Sequence, residues 1–183
     1  MNKKVLILHG WGGSDYPHWQ AWVASELIKK NFIISFPELP KKMEPTLEEW
    51  INTLEKEFKH FQPDIVICHS LANILWFHFI EKFQIKPIKK LMLVAPISKK
   101  PIKEVESFYP YPTPKDLKAE EIIMVGSTND PYMSVEEAIE LQSKLNVGLK
   151  ILENAGHINS DSGYGELSCA LDWIIQGCEE TKS

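Results

Sequence analysis

The stretch Ile65-Val66-Ile67-Cys68-His69-Ser70-Leu71-Ala72-Asn73-Ile74-Leu75-Trp76-Phe77 runs apolar, breaks at a short polar pair and turns apolar again. Its first part is apolar at every position from Ile65 to Cys68. That suits a strand covered on both faces, as in a parallel sheet, better than a strand with one wet face. Its second part, from Leu71 onward, is a longer and almost wholly apolar helical run. A doubly covered strand leading through a tight turn into a buried helix is half of a strand-helix-strand unit.

The same alternation continues in both directions. Strands are expected at Val5–Leu8, Phe32–Phe36, Asp64–Cys68, Lys90–Val94, Glu121–Val125 and Gly148–Leu152, and Leu91-Met92-Leu93-Val94 repeats the all-apolar pattern. Between them lie helical stripes. Thr46 to Lys59 sets Leu47, Trp50, Ile51, Leu54 and Phe58 on one face. Thr46 with Glu49, and Ser134 with Glu137, each read as a capping box. Further helices are expected over His18–Lys30, Leu71–Phe83 and Tyr164–Gln176. The repeated order predicts an α/β fold, a doubly wound parallel sheet with right-handed crossovers. One segment breaks the rhythm: Pro96 to Pro114 holds five of the twelve prolines and reads as an irregular excursion walling a pocket.

The 183 residues suit one domain, residues 1–183, with a core that needs no staple. A net charge of −5 speaks against a nucleic-acid partner, which calls for a basic patch. Cys68, Cys169 and Cys178 form no paired spacing, so neither a disulfide framework nor a zinc ribbon is expected. Lys3 and Lys4 precede an apolar run too short for the centre of an export signal, and a cytoplasmic location is expected. No stretch reaches the length of a membrane span. The Glu179-Glu180 tail reads as a frayed end.

Chemistry concentrates at Cys68-His69-Ser70-Leu71-Ala72. A serine on a sharp strand-to-helix turn presents its hydroxyl, and the helix start offers backbone N–H groups to a developing oxyanion. The usual form carries glycine on both sides of the turn; Cys68 and Ala72 stand there instead, and both are small. A nucleophile of this kind needs an acid and a base on later strand ends, in the order Ser, Asp, His. Asp130, in Asn129-Asp130-Pro131, follows the fifth strand, and His157, in Gly156-His157, follows the sixth. His9-Gly10-Trp11-Gly12-Gly13 follows the first strand, where a second oxyanion donor belongs. The N–H of Trp11 and that of Leu71 are therefore the expected donors, with His9 supporting the loop. A nucleotide loop is not expected, since Asp15 stands where a third glycine would be.

These motifs carry a family resemblance. His9-Gly10-Trp11-Gly12-Gly13, Trp19, the Ser70 turn, Asn129-Asp130-Pro131-Tyr132, and Gly156-His157-Ile158-Asn159 followed by Ser162-Gly163-Tyr164-Gly165 resemble the small serine hydrolases of the retinoblastoma-binding protein 9-like (YdeN-type) group. The resemblance spans essentially the whole chain. It implies a compact α/β-hydrolase fold with six parallel strands in the order 2-1-3-4-5-6 and a minimal cap. It also implies esterase-type activity, with Ser70 as nucleophile, His157 as base and Asp130 as the orienting acid.

Other residues are weighed and set aside. Cys68 reads as packing and His69 as structural. Asp15, Asp64 and Asp161 are the alternative acids; Asp64 lies at the wrong sheet edge and Asp161 breaks the chain order. His18, His60 and His78 lack metal-ligand spacing, so no metal and no cofactor are expected. Gly12, Trp19, Phe108, Tyr109 and Tyr132, with Tyr111, are candidates for an acyl pocket. The expected substrate is a small acyl compound, short or aromatic rather than a long lipid; no protein partner is specified. Two rivals stay open: a binding module on a hydrolase scaffold, and an acyltransferase.

Overall fold

The computed structural model describes residues 3–176; Cys178 and the Glu179-Glu180 pair lie outside them. Six strands form one sheet: β1 (Lys4–Leu8), β2 (Ile33–Ser35), β3 (Ile65–His69), β4 (Ile88–Val94), β5 (Ala119–Ser127) and β6 (Gly148–Leu152). Their order is β2-β1-β3-β4-β5-β6 and every pair is parallel. The helices are α1 (Trp19–Lys29), α2 (Leu47–Phe61), α3 (Leu71–Lys82), α4 (Val135–Leu145) and α5 (Ser168–Ile175). No helix among the described residues is long and apolar enough to cross a membrane.

The all-apolar strands are apolar because both faces are covered. Leu6, Leu8, Val66, Cys68, Leu91 and Leu93 point into the core under α2, α3 and α4. Their neighbours Val5, Ile7, Ile65, Ile67, Met92 and Val94 point into the core under α1 and α5. Side chains alternate across a strand, so a run with both parities apolar fills both layers.

Three local expectations are corrected. Glu49 does not complete a capping box: its N–H reaches Thr46 Oγ1 at 3.4 Å, but its carboxylate takes the Thr46 hydroxyl and Lys41 Nζ. The Ser134–Glu137 box is complete. Helix α5 starts at Ser168, not Tyr164, because the Tyr164 carbonyl is engaged by Trp19 N–H and the Tyr164 N–H by the Asn159 carbonyl. The excursion after β4 is not irregular throughout, since Lys103–Phe108 coils as a 3-10 helix.

The sheet order sets the site. The chain leaves β1 toward β2 on one side and returns to β3 on the other, so a crevice opens between the C-terminal ends of β1 and β3. The loop Gly10–Gly13 and Ser70 flank that crevice.

Candidate active site

Ser70 sits between β3 and α3 with φ 54° and ψ −122°. A non-glycine residue in that region is strained by roughly 1–3 kcal/mol and persists only where its surroundings impose it. The imposition is visible: Ser70 N–H bonds the Val94 carbonyl at 3.0 Å, and Asn73 Nδ2 bonds both the Ser70 carbonyl (2.8 Å) and the Val94 carbonyl (2.9 Å). The hydroxyl makes no capping bond to α3, so the serine is not spent as a helix cap. Gly10 lets β1's loop pass close by. A Cβ there would stand 2.7 Å from Ser70 Cβ and 3.0 Å from the His69 carbonyl.

The Ser70 hydroxyl meets His157 Nε2 at 2.8 Å. On the far side of the ring, His157 Nδ1 lies 2.9 Å and 3.0 Å from the two Asp130 oxygens. In the neutral ring, Nδ1–H donates to the carboxylate and Nε2 accepts from the hydroxyl. Both side chains are buried, Asp130 at 3% and His157 at 8% exposure. Asp130 also accepts from Tyr132 N–H at 2.9 Å, so the turn before Pro131 and the contact to His157 use one carboxylate.

Two loops hold this relay in register. Asn129 Oδ1 accepts from Gly156 N–H at 2.7 Å, and Ser127 Oγ accepts from Ala155 N–H at 3.0 Å. Both bonds tie the acid's loop to the base's loop. Beyond the histidine, Ser162 Oγ accepts from His157 N–H at 3.1 Å and itself donates to Asn159 Oδ1 at 2.8 Å. Gly156 takes a positive φ of 55°, and a Cβ there would collide with Ser162. His69 Nε2 donates to the His157 carbonyl at 3.1 Å, and its ring lies 4.9 Å from that of His18. Burial lowers the pKa of His18 to about 4 and holds His69 well below the usual histidine value, with the nearby His157 next in effect. Both are uncharged around neutral pH. Burial pushes the Cys68 thiol far above its ordinary range, which disqualifies it as a thiolate nucleophile.

A cavity of about 350 Å³ opens onto Ser70. Trp11, Gly12, Gly13 and Leu71 line it beside Ser70, Ile97, Ile102, Val105 and Tyr132 supply apolar surface, and Asn159, Ser160 and Asp161 supply polar surface. Among the described residues no cluster of three or more His, Cys, Asp or Glu side chains is arranged to hold a metal.

The profile of a family described as serine hydrolase matches residues 5–174. The chain belongs to the serine hydrolase family. This serine hydrolase is 23% identical to YdeN of Bacillus subtilis (strain 168), a protein named as a hydrolase, over 94% of each chain. The crystal structure of the B. subtilis ydeN product superposes with a TM-score of 0.87 at 21% identity, covering 96% of this chain and 98% of that one. A YdeN-like hydrolase from Pectobacterium atrosepticum gives 0.79 at 23% identity, over 96% and 90%. A carboxylesterase study of the thaumarchaeon Nitrososphaera gargenis supplies a structure at 0.70 and 12% identity, over 97% and 90%. These likenesses establish the YdeN-type α/β-hydrolase fold.

Within the hydrolase, Ser70, Asp130 and His157 converge, and Trp11, Leu71, Gly12 and Tyr132 border the cavity. Four expected pocket residues, Trp19, Phe108, Tyr109 and Tyr111, do not. Trp19 is fully buried under the sheet, where its indole N–H supports the His157 loop through the Ile158 carbonyl at 2.8 Å. Phe108 is fully buried against Trp50. Tyr109 packs on the core and bonds the Ser98 carbonyl through its hydroxyl, as Tyr111 bonds that of Ile97. Aromatic bulk near a site marks core as readily as pocket. His18, Ile97, Ile102, Val105, Asn159 and Ser160 line the cavity without having been expected to, and Asp161 lines it although it was weighed only as an acid. The Asn159-x-x-Ser162 spacing carried a signal, that of an asparagine capping a short helix, since Asn159 Oδ1 accepts from Ser162 N–H at 3.0 Å.

Proposed function

We propose that the chain hydrolyses a small carboxylic ester or related acyl bond through Ser70, His157 and Asp130, by way of an acyl-enzyme. The observation that carries this is the unbroken relay Asp130–His157–Ser70, with 2.8–3.0 Å contacts at a strained turn. His157 Nε2 takes the hydroxyl proton as Ser70 Oγ attacks the carbonyl carbon. Asp130 holds the ring in the tautomer this needs and stabilises the imidazolium. The oxyanion lies between the N–H groups of Trp11 and Leu71. The N–H groups of Gly12 and Gly13 are taken, by the carbonyls of Lys42 and Gly10, whereas no acceptor among the described residues meets Trp11 N–H. His157 then protonates the leaving alcohol, and water, activated by the same ring, releases the acyl group.

A cavity of about 350 Å³ is at the small end for ligand pockets. It supports short or aromatic acyl groups over long chains. The test is hydrolysis of p-nitrophenyl esters of increasing chain length by wild type and Ser70→Ala. Acetate and butyrate esters should turn over fastest, and the variant should lose at least about 10³-fold, as removal of a triad nucleophile does. Equal turnover in both proteins contradicts the reading, and faster cleavage of long-chain esters contradicts the substrate class.

A further inference from the structure

Asn73 has a buried oxygen, Oδ1, with no hydrogen-bond partner. Such an orphan acceptor costs roughly 1–3 kcal/mol, so the other half of the amide must be what is used. Nδ2 donates to the Ser70 carbonyl at 2.8 Å and to the Val94 carbonyl at 2.9 Å, and Asn73 N–H reaches the Ser70 carbonyl at 3.0 Å. The Ser70 carbonyl belongs to the same rigid peptide as Leu71 N–H. In a trans peptide the two point in opposite directions. Gripping the carbonyl from behind therefore aims the N–H forward.

The other side of the crevice repeats the device. Leu39 N–H donates to His9 Nε2 at 2.8 Å, which makes that nitrogen an acceptor and leaves the proton on Nδ1. Nδ1–H then donates to the Gly10 carbonyl at 2.7 Å, where Gly13 N–H also arrives at 3.2 Å. The peptide whose carbonyl is held is the one that carries Trp11 N–H.

We propose that Asn73 and His9 are positioning residues that aim the two oxyanion donors, Leu71 N–H and Trp11 N–H, by holding the carbonyl of the same peptide. This rests on the hydrolase reading above. A donor that is misaimed loses part of what its removal would lose, which is about 10²–10³ in turnover. Asn73→Leu, an apolar side chain of similar size, is expected to lower kcat about 10–100-fold with KM within about twofold. The affinity for trifluoroacetophenone, which adds to the serine as a tetrahedral oxyanion, should fall by the same factor. His9→Leu should do likewise. His9→Asn, whose Nδ2 takes the place of Nδ1, should return kcat to within about threefold of wild type. A purely structural role would lower the melting temperature without matched losses in kcat and ketone affinity.

Wild-type kcat and ketone affinity in folded Asn73→Leu, or a loss confined to KM, overturns the assignment for Asn73. If that variant does not fold, the His9 pair decides, and equal activity in His9→Leu and His9→Asn overturns the device. Wild type that neither binds the ketone nor loses activity on Ser70→Ala instead refutes the underlying hydrolase reading, a separate result.

Discussion

A methyl group on Gly10 would press against Ser70 Cβ at 2.7 Å, a distance real side chains do not tolerate. Relief requires moving either the turn or the loop after β1, and each carries an expected oxyanion donor. Displacing reacting groups by about 1 Å costs about 10²-fold in rate, so Gly10→Ala should lose at least that in kcat/KM while remaining folded. Steady-state kinetics beside a thermal melt checks it, and full activity in a folded Gly10→Ala enzyme refutes the close-approach argument. The residues that chemistry singles out were the legible ones. Ser70, Asp130 and His157 each follow an apolar run in the required order, and all three meet. Trp19 and Phe108 misled because burial and ligand contact select the same aromatic types. Asn73 gave no signal and Asn129 entered only as part of a motif, since their bonds join segments that only the folded chain brings together.

Among the elements, α5 shows both what sequence reveals and what it hides. Its apolar face was plain, but its start was misplaced by four residues because neighbouring backbone groups are claimed by Trp19 and Asn159. Its end is fixed by a residue from a strand. Lys90, on β4, has a side chain only 9% exposed and donates to the Trp173 carbonyl at 2.8 Å and the Gln176 carbonyl at 2.7 Å. The same ammonium lies 4.7 Å from the Trp173 ring. A cation at a helix C-terminus meets both orphan carbonyls and the negative end of the dipole. Lys90→Met keeps the stem and removes the donor, and should cost about 1–3 kcal/mol in urea unfolding, the range for bonds to a charged group. An unchanged midpoint would mean the cap is idle. The strands themselves were legible to within a few residues, since the inner runs Val5–Leu8, Ile65–Cys68 and Leu91–Val94 are apolar at every position. The caps were less so: Thr46 and Ser134 carry the same signature, yet Lys41 draws Glu49 away from one of them.

Across the whole molecule, three buried histidines couple stability to pH. Burial lowers His9, brings His18 to about 4 and drives His69 well down. Each folded value lies below the unfolded one of about 6.5, so between the two the unfolded chain binds more protons. Their contribution is therefore full above about pH 6.5 and is lost as pH falls below it, for His18 down to about 4, at up to about 1.4 kcal/mol per unit for each histidine. Urea midpoints should fall between about pH 7 and 5, and His18→Asn, which keeps the helix cap, should flatten part of that slope. A slope identical in the variant removes His18 from this account. The fold and the convergence of Ser70, Asp130 and His157 were both legible at this scale because the α/β sheet puts strand ends, and hence the loops between alternating runs, on one edge. The cavity wall was legible only in part: Ile97, Ile102 and Val105 come from the excursion that was expected to wall a pocket, whereas Asn159 and Asp161 come from the loop after β6 and meet it only in the folded chain. The most direct test of the central claim is fluorophosphonate labelling followed by mass mapping of the adduct. The wild-type chain should take up one probe, on Ser70, and Ser70→Ala should take up none. Equal labelling of both proteins, or an adduct on another residue, would contradict the assignment of Ser70 as the nucleophile.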